Sequence, residues 1–445
     1  MSSAQRRGRI AALGLAVLFC TTPAEAANRR SFLFGGEAAV SAGALSARAT
    51  GTDALFYNPA GLALGVRNGL NLSLTAFTYR LSPVEDGVVF RYPDRSEGFD
   101  FDASEFLPTP AALVFARPLG ERWGLALGAF VVDVRDVRFE VQSERTDVPP
   151  DGAAVRAGRS AQTIRRRYNL GAGVGFRASS RLRLGASLLA VYDRNRQNVQ
   201  FFSSIRDPDG TERSFLEGSN SDVNSLALLP SLALQWSPLT RLDLGVMLRL
   251  PTLSIYSWGE RIPTLSAPAR DGQRIETGVR EFSEFNVQVV EPSSLELMVR
   301  HVVGRWTWGA TVEVVPPISQ GGIIPLDFDV LWNVRAGAEL ALAKQVEVGL
   351  GFFTDLAPNE DAEGQALDSG VDYFGWTTGL RFRNPLNPEG TVAIHTSLGL
   401  SYLLGIGSVE GFEVNPLSPS ASVSTPAVGV TFHELSFNLA TELAF

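Results

Sequence analysis

Apolar and polar positions alternate along most of the chain from residue 70 onward. In the segment 241–250, leucine or valine fills every even position, whereas the odd positions carry arginine, aspartate, glycine or methionine. Successive side chains of a β-strand point to opposite faces, so this period of two predicts strands with one apolar face. We predict fourteen such strands, at 70–79, 110–118, 123–135, 165–178, 181–194, 224–237, 241–250, 293–303, 305–315, 329–342, 344–354, 371–383, 390–403 and 431–445.

The lengths of the strands and of their connections favour a membrane barrel. Several segments exceed the mean globular strand of about 5–6 residues and reach the roughly 9–11 that cross a bilayer at a tilt. Short turns alternate with long polar loops, which we place at 80–109, 136–164, 195–223, 251–292, 316–328, 355–370 and 404–430. Alternation alone would also fit a soluble sandwich with its apolar faces inward. Strand number and length instead predict an all-β fold, a 14-stranded antiparallel transmembrane β-barrel of a Gram-negative outer membrane.

Aromatic residues at the strand ends fit a membrane boundary. Tryptophan and tyrosine form girdles at both interfaces of such barrels. Five tryptophans have this placement, namely Trp123, Trp236, Trp306, Trp332 and Trp376. The last strand ends at Phe445, and a terminal aromatic on an amphipathic strand resembles the signal read by the barrel-insertion machinery. The expected surroundings are outer-membrane lipid and lipopolysaccharide.

The N-terminal residues have the composition of a secretory signal peptide. Arg6, Arg7 and Arg9 precede an uncharged run, which ends at an Ala-x-Ala site, so we predict a signal peptide at 1–26. Its removal takes away the single cysteine, Cys20, and changes the net charge from −8 to −10. An acidic balance of this size argues against nucleic acid as a partner.

Residues 27–69 lack the alternating pattern, although they are rich in apolar side chains. The predicted inward face of the strands consists largely of glycine, serine, threonine and asparagine with some charged residues. Such small side chains cannot fill a barrel of this size, because only about eight strands enclose a space that side chains fill alone. We therefore predict that 27–69 form a hatch inside the barrel formed by 70–445, where irregular backbone is tolerated because protein surrounds it.

The sequence GALSARATGTDALFYNPAGLA, residues 43–63, resembles the hatch of the FadL-type long-chain fatty acid transporter family. Asn58, Pro59 and Ala60 match the hatch motif of that family, and Asp53 precedes them. The resemblance implies passive import of long-chain fatty acids or other hydrophobic compounds. It also implies lateral exit where the third strand, 123–135, bends inward, and Gly124 and Gly128 would permit that bend.

Two groups of residues are candidates for contact with the substrate. The first, beside the predicted hatch N-terminus, is Phe32, Leu33 and Phe34. The second, in the predicted loops, is Phe201, Phe202, Phe215, Leu216, Ile255, Tyr256 and Trp258. Ordinary packing of the hatch or of the loops is the alternative interpretation for each residue.

The sequence favours neither a metal site nor an enzyme. His301, His395 and His433 occur singly, without the spacing of metal ligands. Ser436 lies three positions after His433, so the two side chains would point to opposite faces of a strand. We predict no cofactor, no metal and no catalytic residue. The alternatives that stay open are a barrel of this kind that acts in binding, docking or surface shuttling, and a general diffusion porin.

Overall fold

The computed structural model describes residues 33–64, 68–102, 105–266, 292–320, 326–328, 330–357, 370–389, 391–417 and 426–445. The predicted signal peptide and Phe32 lie outside these residues, as do parts of several predicted loops. The boundaries at 26/27 and 69/70 therefore stay predictions.

Fourteen antiparallel strands form a closed barrel wall. They are β1 (Gly69–Leu81), β2 (Glu105–Leu119), β3 (Trp123–Val148), β4 (Ala153–Arg177), β5 (Leu182–Arg206), β6 (Glu212–Leu239), β7 (Leu242–Arg249, continued by Leu253–Ser266), β8 (Ser294–Val303), β9 (Trp306–Val315), β10 (Leu331–Ala343), β11 (Val346–Asp355), β12 (Gly370–Pro385), β13 (Ala393–Glu410) and β14 (Ala427–Ala444). The two parts of β7 flank Pro251, which has no N–H to donate, and β6 pairs with both parts. The barrel closes where β1 pairs with β14, beginning with Gly69 opposite Ala444.

All fourteen predicted strands are confirmed, but three predicted loops, at 80–109, 136–164 and 195–223, are mostly strand. In the last two, β3 and β4 form one long hairpin and β5 and β6 form another. Residues 253–266 of the loop predicted at 251–292 are also strand, since β7 continues to Ser266. Beyond the bilayer no apolar face is required, so the alternation disappears from the sequence while the backbone hydrogen bonds continue.

Short strands on the long-loop rim form a separate sheet. Pro83–Arg91 pairs with Ser96–Asp102 and with Phe412–Val414. Arg145 of β3 donates to both carboxylate oxygens of Asp94 at 2.9 Å, which fastens this sheet to the long β3–β4 hairpin. A further pair of short strands is Ile318–Gln320 with Leu326–Phe328.

The outside of the barrel is covered with exposed apolar side chains. Leu170, Leu239 and Leu350 are 64%, 65% and 63% exposed, respectively. The five predicted girdle tryptophans are also exposed, each by 43% to 54%. A water-soluble sandwich would bury such a face, so the exposed apolar belt agrees with a barrel surrounded by lipid.

Residues 33–64, which we call the hatch, lie inside the barrel. They form two short α-helices, α1 (Gly36–Ser41) and α2 (Ala54–Tyr57), and two 3₁₀ helices, Ser46–Arg48 and Pro59–Ala63. None of the helices in the described residues is long and apolar enough to span a membrane. Most of the hatch side chains are buried, so the hatch takes up the space that the small inward residues of the wall leave.

Candidate functional site

The hatch turn with the Asn58-Pro59-Ala60 sequence lies against a row of glycines in the wall. Gly124 of β3, Gly175 of β4 and Gly185 of β5 are consecutive partners across three strands. A Cβ atom on Gly124 would lie 1.8 Å from the carbonyl oxygen of Leu62. One on Gly185 would lie 2.1 Å from the Ala60 nitrogen. Glycine is therefore required here because hatch backbone meets wall backbone directly.

The same contacts change the interpretation of the β3 glycines. A Cβ atom on Gly128 would lie 2.7 Å from Leu55 of the hatch, so Gly124 and Gly128 both make room for the hatch. The irregularity of β3 lies elsewhere, between Val131 and Asp133, where its register with β4 shifts. The inward bend at Gly124 and Gly128 that the resemblance implies stays a prediction.

Asn58 ties the two halves of the hatch together. Its side-chain oxygen accepts a hydrogen bond from the Ala60 nitrogen at 3.3 Å, capping the 3₁₀ helix Pro59–Ala63. Its amide nitrogen donates to the Ser46 carbonyl oxygen, also at 3.3 Å. The side chain is fully buried, and Pro59 occupies the first helical position, where a missing N–H costs nothing.

Replacing Asn58 by alanine is expected to destabilise the hatch by about 1–2 kcal/mol, through the loss of the cap and of the bond to Ser46. Limited proteolysis should then cleave within residues 33–64 faster than in the wild type, while the barrel stays intact. Asn58→Asp is the matched variant, since it keeps the acceptor and loses the donor. Equal protection of all three proteins would contradict this role.

Acidic side chains collect where the hatch meets β1 and β14. Asp53 accepts a hydrogen bond from the Glu37 backbone nitrogen at 3.4 Å and one from Asn71 of β1 at 3.5 Å. Burial raises the pKa of Asp53 to about 6. Burial and the neighbouring Glu339 carboxylate raise the pKa of Glu37 to about 8, against the opposing effect of Arg381. Glu442 of β14 adds a further negative charge beside Asp53.

The packing of the hatch is expected to weaken as pH rises. Both raised pKa values mean that the folded hatch binds protons more tightly than the unfolded chain does. The stabilisation is complete below the ordinary carboxyl pKa values of 3.8 and 4.5, and it is lost as pH rises through about 6 for Asp53 and 8 for Glu37. Hydrogen exchange of hatch amides, corrected for intrinsic rates, should therefore be slower at pH 5 than at pH 8. In the Glu37→Gln variant, the exchange rate should change less with pH in the range around pH 8. A wild-type exchange rate that does not change with pH would contradict the prediction.

Four aromatic rings form a cluster at the N-terminal end of the described hatch. Phe34 is stacked on Tyr57 with ring centroids 5.2 Å apart, and it meets Phe56 edge-on at 4.7 Å. Phe130 of β3 lies 4.8 Å from Phe34. The Tyr57 hydroxyl donates to the Phe34 carbonyl oxygen at 3.1 Å, so the N-terminal segment is held by a polar bond as well as by ring contacts.

A cavity in the lumen adjoins this cluster, with Phe56 in its lining. It is a small space, with a volume of about 40 Å³. Apolar side chains from β3, β5 and β6 line part of it, including Val132, Leu189 and Leu229. Arg167 and Arg249 add positive charge. The lining also contains the Glu313 carboxylate and four polar side chains, Asn169, Ser187, Ser231 and Ser294, so the cavity places apolar groups beside charges of both signs.

Arg249 connects the cavity to the hatch. Its guanidinium lies 5.4 Å from the ring centroid of Phe56 and donates to the Phe56 carbonyl oxygen at 3.3 Å. It also lies 3.2 Å from the fully buried carboxylate of Glu296 in β8. Together with the ring contact to Phe34, these contacts hold Phe56 in position.

The pairing of β2 with β3 ends next to the aromatic cluster. In the described residues, their register runs from Leu119 opposite Trp123 to Ala112 opposite Phe130. β3 then continues to Val148 in partnership with β4, and β2 continues along β1. The two strands thus separate directly after Phe130, where β3 also has its irregularity.

The predicted substrate residues lie in different places. Leu33 and Phe34 are buried in the hatch, and Phe34 belongs to the cluster beside the cavity. Phe201 and Phe215 are also buried, on the inward face of the β5–β6 hairpin, with ring centroids 6.0 Å apart.

The remaining predicted residues lie on the outward face. Phe202 pairs with Leu216, which is 39% exposed and borders a shallow depression between β5 and β7. Ile255 and Tyr256 are 57% and 54% exposed, and Trp258 is half-buried opposite Asn224. The structure therefore does not bring the loop candidates together with Phe34, and their role in binding stays a prediction.

Sequence reasoning missed Phe56, Phe130 and the cavity arginines as site residues. Phe130 lies in an ordinary strand pattern, and its partner Phe34 is far away in sequence. Arg167 and Arg249 do carry a sequence signal, since both are charged residues at inward positions of transmembrane strands. Such residues in a lumen are candidates for function.

The histidines of the described residues make ordinary contacts. His301 packs edge-on against Trp308, with ring centroids 5.3 Å apart, and His433 lies 2.8 Å from the Tyr402 hydroxyl. Within the described ranges, no group of three or more histidine, cysteine, aspartate or glutamate side chains could hold a metal ion.

The closed wall and the enclosed hatch define a class of protein, the plugged 14-stranded barrels of the Gram-negative outer membrane. No protein-family model and no curated protein matches the sequence. Comparison with solved structures is more informative. A FadL homologue of Pseudomonas aeruginosa superimposes with a TM-score of 0.63 at 14% identity, over 94% of this chain and 100% of that one.

Two toluene transporters are similar to the chain in the same way. TbuX of Ralstonia pickettii gives a TM-score of 0.53 at 15% identity, covering 94% of this chain and 99% of its own. TodX of Pseudomonas putida gives a TM-score of 0.52 at 15% identity, covering 89% of this chain and 95% of its own. The chain therefore has the fold of the FadL-type outer-membrane transporters, as the hatch motif implied.

Proposed function

We propose that this protein imports hydrophobic compounds across the outer membrane, with long-chain fatty acids as the principal class. The cavity beside Phe56 carries the proposal, because it brings Leu189 and Leu229 close to Arg167 and Arg249, and Val132 in its lining follows the point where β2 and β3 separate. A fatty acid would place its chain against Leu189 and Leu229 and its carboxylate near the guanidinium groups. We infer no catalytic step, and the import is passive.

The apolar lining supplies the driving force for capture. Each methylene removed from water contributes about 0.8 kcal/mol, so even a partly buried acyl chain binds without a strong polar contact. At the outer rim, the exposed Leu216 and Tyr256 are candidates for the first contact with an apolar molecule. Phe32, Leu33 and Phe34 are the proposed contacts at the inner end of the path.

We infer that the ligand leaves sideways, between β2 and β3. The end of their pairing at Phe130 supports this route, since an apolar ligand there would pass into hydrocarbon without being wetted again. Phe34 packs against Phe130 at this point. The N-terminal hatch segment would therefore have to move away from Phe130 for the path to open.

Uptake of radiolabelled oleate and toluene by a transporter-deficient host tests the proposal. Expression of this chain should restore oleate uptake, and Leu229→Glu, which places a charge in the cavity lining, should abolish most of it. Leu229→Met is the matched control, because it keeps volume and apolarity. Oleate uptake that stays at the background level of the host would overturn the fatty acid assignment, and absence of both activities would overturn import.

A docking or shuttle role at the cell surface is the second candidate. The long β3–β4 and β5–β6 hairpins favour it, because they extend far beyond the exposed tyrosines Tyr168 and Tyr192. A barrel with this role would bind its partner through the hairpins and would be indifferent to substitution of Leu229.

A further inference from the structure

The tight turns on the short-turn rim carry a regular set of positive charges. These turns are residues 120–122, 178–181, 240–241, 304–305 and 344–345. Each contains one basic residue, namely Arg122, Arg181, Arg241, Arg305 and Lys344, and Glu121 is the single acidic residue among them. The whole chain has 47 acidic and 39 basic residues, so its composition would favour the opposite sign.

Backbone hydrogen bonds place four of these residues at one level of the barrel. In each of the four turns, the carbonyl oxygen of the arginine accepts a hydrogen bond from a backbone nitrogen at 2.8 to 2.9 Å. The four pairs of acceptor and donor residue are Arg122 with Arg177, Arg181 with Ser237, Arg241 with Val302, and Arg305 with Ala341. Each bond joins the turn to the end of the following hairpin. The four arginines therefore occupy equivalent positions around the rim, and Lys344 precedes Gln345, which makes the same bond to Arg383.

All five basic side chains are exposed. Within the part of the chain that the structure describes, none of them takes part in an ion pair. The charges are therefore available to a partner outside the protein.

The neighbours of these residues identify the chemistry of that partner. Arg122 is followed by Trp123 and Arg305 by Trp306, and these outward indoles are 49% and 52% exposed. Leu239, at 65% exposed, comes two residues before Arg241. An indole at the membrane interface beside a cation on the water side is the arrangement that binds a lipid head group. A protein partner would require a compact basic patch, whereas these charges are spread over five consecutive short turns; the remaining short turn, 386–392, has Glu389 and no basic residue.

We propose that the short-turn rim binds anionic phospholipids of the periplasmic leaflet, one head group near each of the five basic turns. Short turns face the periplasm in outer-membrane barrels, so this rim meets the phospholipid leaflet. The rim thereby fixes the height and tilt of the barrel in the membrane.

Native mass spectrometry of protein released from vesicles with equal parts of phosphatidylglycerol and phosphatidylethanolamine tests this proposal. The wild type should retain more phosphatidylglycerol than phosphatidylethanolamine. This preference should fall as the sodium chloride concentration is raised. The fivefold variant with R122Q, R181Q, R241Q, R305Q and K344Q should lose the preference by about tenfold.

The control is a variant with the same change of charge on the opposite rim. In this control variant, five exposed arginines of the opposite rim are replaced by glutamine, namely Arg138, Arg156, Arg166, Arg196 and Arg206. The control variant should keep its preference for phosphatidylglycerol within about twofold of the wild type. An equal loss in both variants would overturn the proposal. A wild type without preference for phosphatidylglycerol would also overturn it, and this measurement does not depend on the folding of any variant.

Discussion

Replacing Gly124 by valine is expected to convert the closed barrel into a leaky one. The new Cβ would lie 1.8 Å from the carbonyl oxygen of Leu62, and backbone on both sides leaves no side chain that could move away. Overpacking of this kind costs about 1–3 kcal/mol or more, and displacement of the hatch relieves it. Since a 14-stranded barrel without its plug would contain water, ion conductance in planar bilayers should rise by roughly tenfold or more.

Gly429→Val is the matched control for this experiment. Gly429 lies in β14, and its Cβ would have no heavy atom within 4 Å. The same substitution there should leave conductance at the wild-type level. If Gly124→Val forms a heat-modifiable barrel that conducts no better than Gly429→Val, the glycine row does not hold the hatch in place.

A disulfide between α1 and the wall is expected to stop import. A Cβ on Gly36 would lie 3.4 Å from the Cβ of Ser397 in β13, close to the roughly 3.5–4.5 Å of a natural disulfide. The variant G36C with S397C would fix the segment two residues from Phe34. If Phe34 must leave Phe130 to open the path, oxidation should reduce oleate uptake by about tenfold.

Reduction of the same cells should restore uptake, and each single cysteine variant should transport under both conditions. Cys20, the single cysteine of the sequence, lies in the predicted signal peptide, so cleavage there leaves no native thiol in the comparison. Full uptake by the oxidised double variant would mean that the ligand passes without movement of the N-terminal hatch segment. The lateral path would then need only rotations of side chains such as Phe34 and Phe130.

Most of the barrel could be predicted from the sequence, but only part of the site. Alternation in segments such as 241–250 is imposed by lipid on one side and the lumen on the other. The extended hairpins meet no lipid along their outer parts, so residues such as Arg156 and Arg206 gave no strand signal. The hatch was recognisable because Asn58-Pro59-Ala60 is a local motif, and its cap is a local interaction.

The rest of the site depends on contacts between residues that are distant along the chain. Phe34 and Phe130 meet across almost a hundred positions, and no local pattern indicates such a pair. The inward glycines were visible in the sequence, but their meaning was not. The resemblance implies a bend of the strand at Gly124, and the structure shows that this glycine is also a point of closest approach between two backbones.

The junction between the hatch and β1 lies where the barrel closes. β1 closes against β14 with Gly69 opposite Ala444, and the amide of Phe445 donates to the Asn68 carbonyl oxygen at 2.8 Å. The polypeptide therefore passes into the lumen directly beside the seam of the cylinder. Pairing of β1 with β14 therefore also fixes where the hatch leaves the wall, so a change that weakens this pairing is expected to loosen the attachment of the hatch as well.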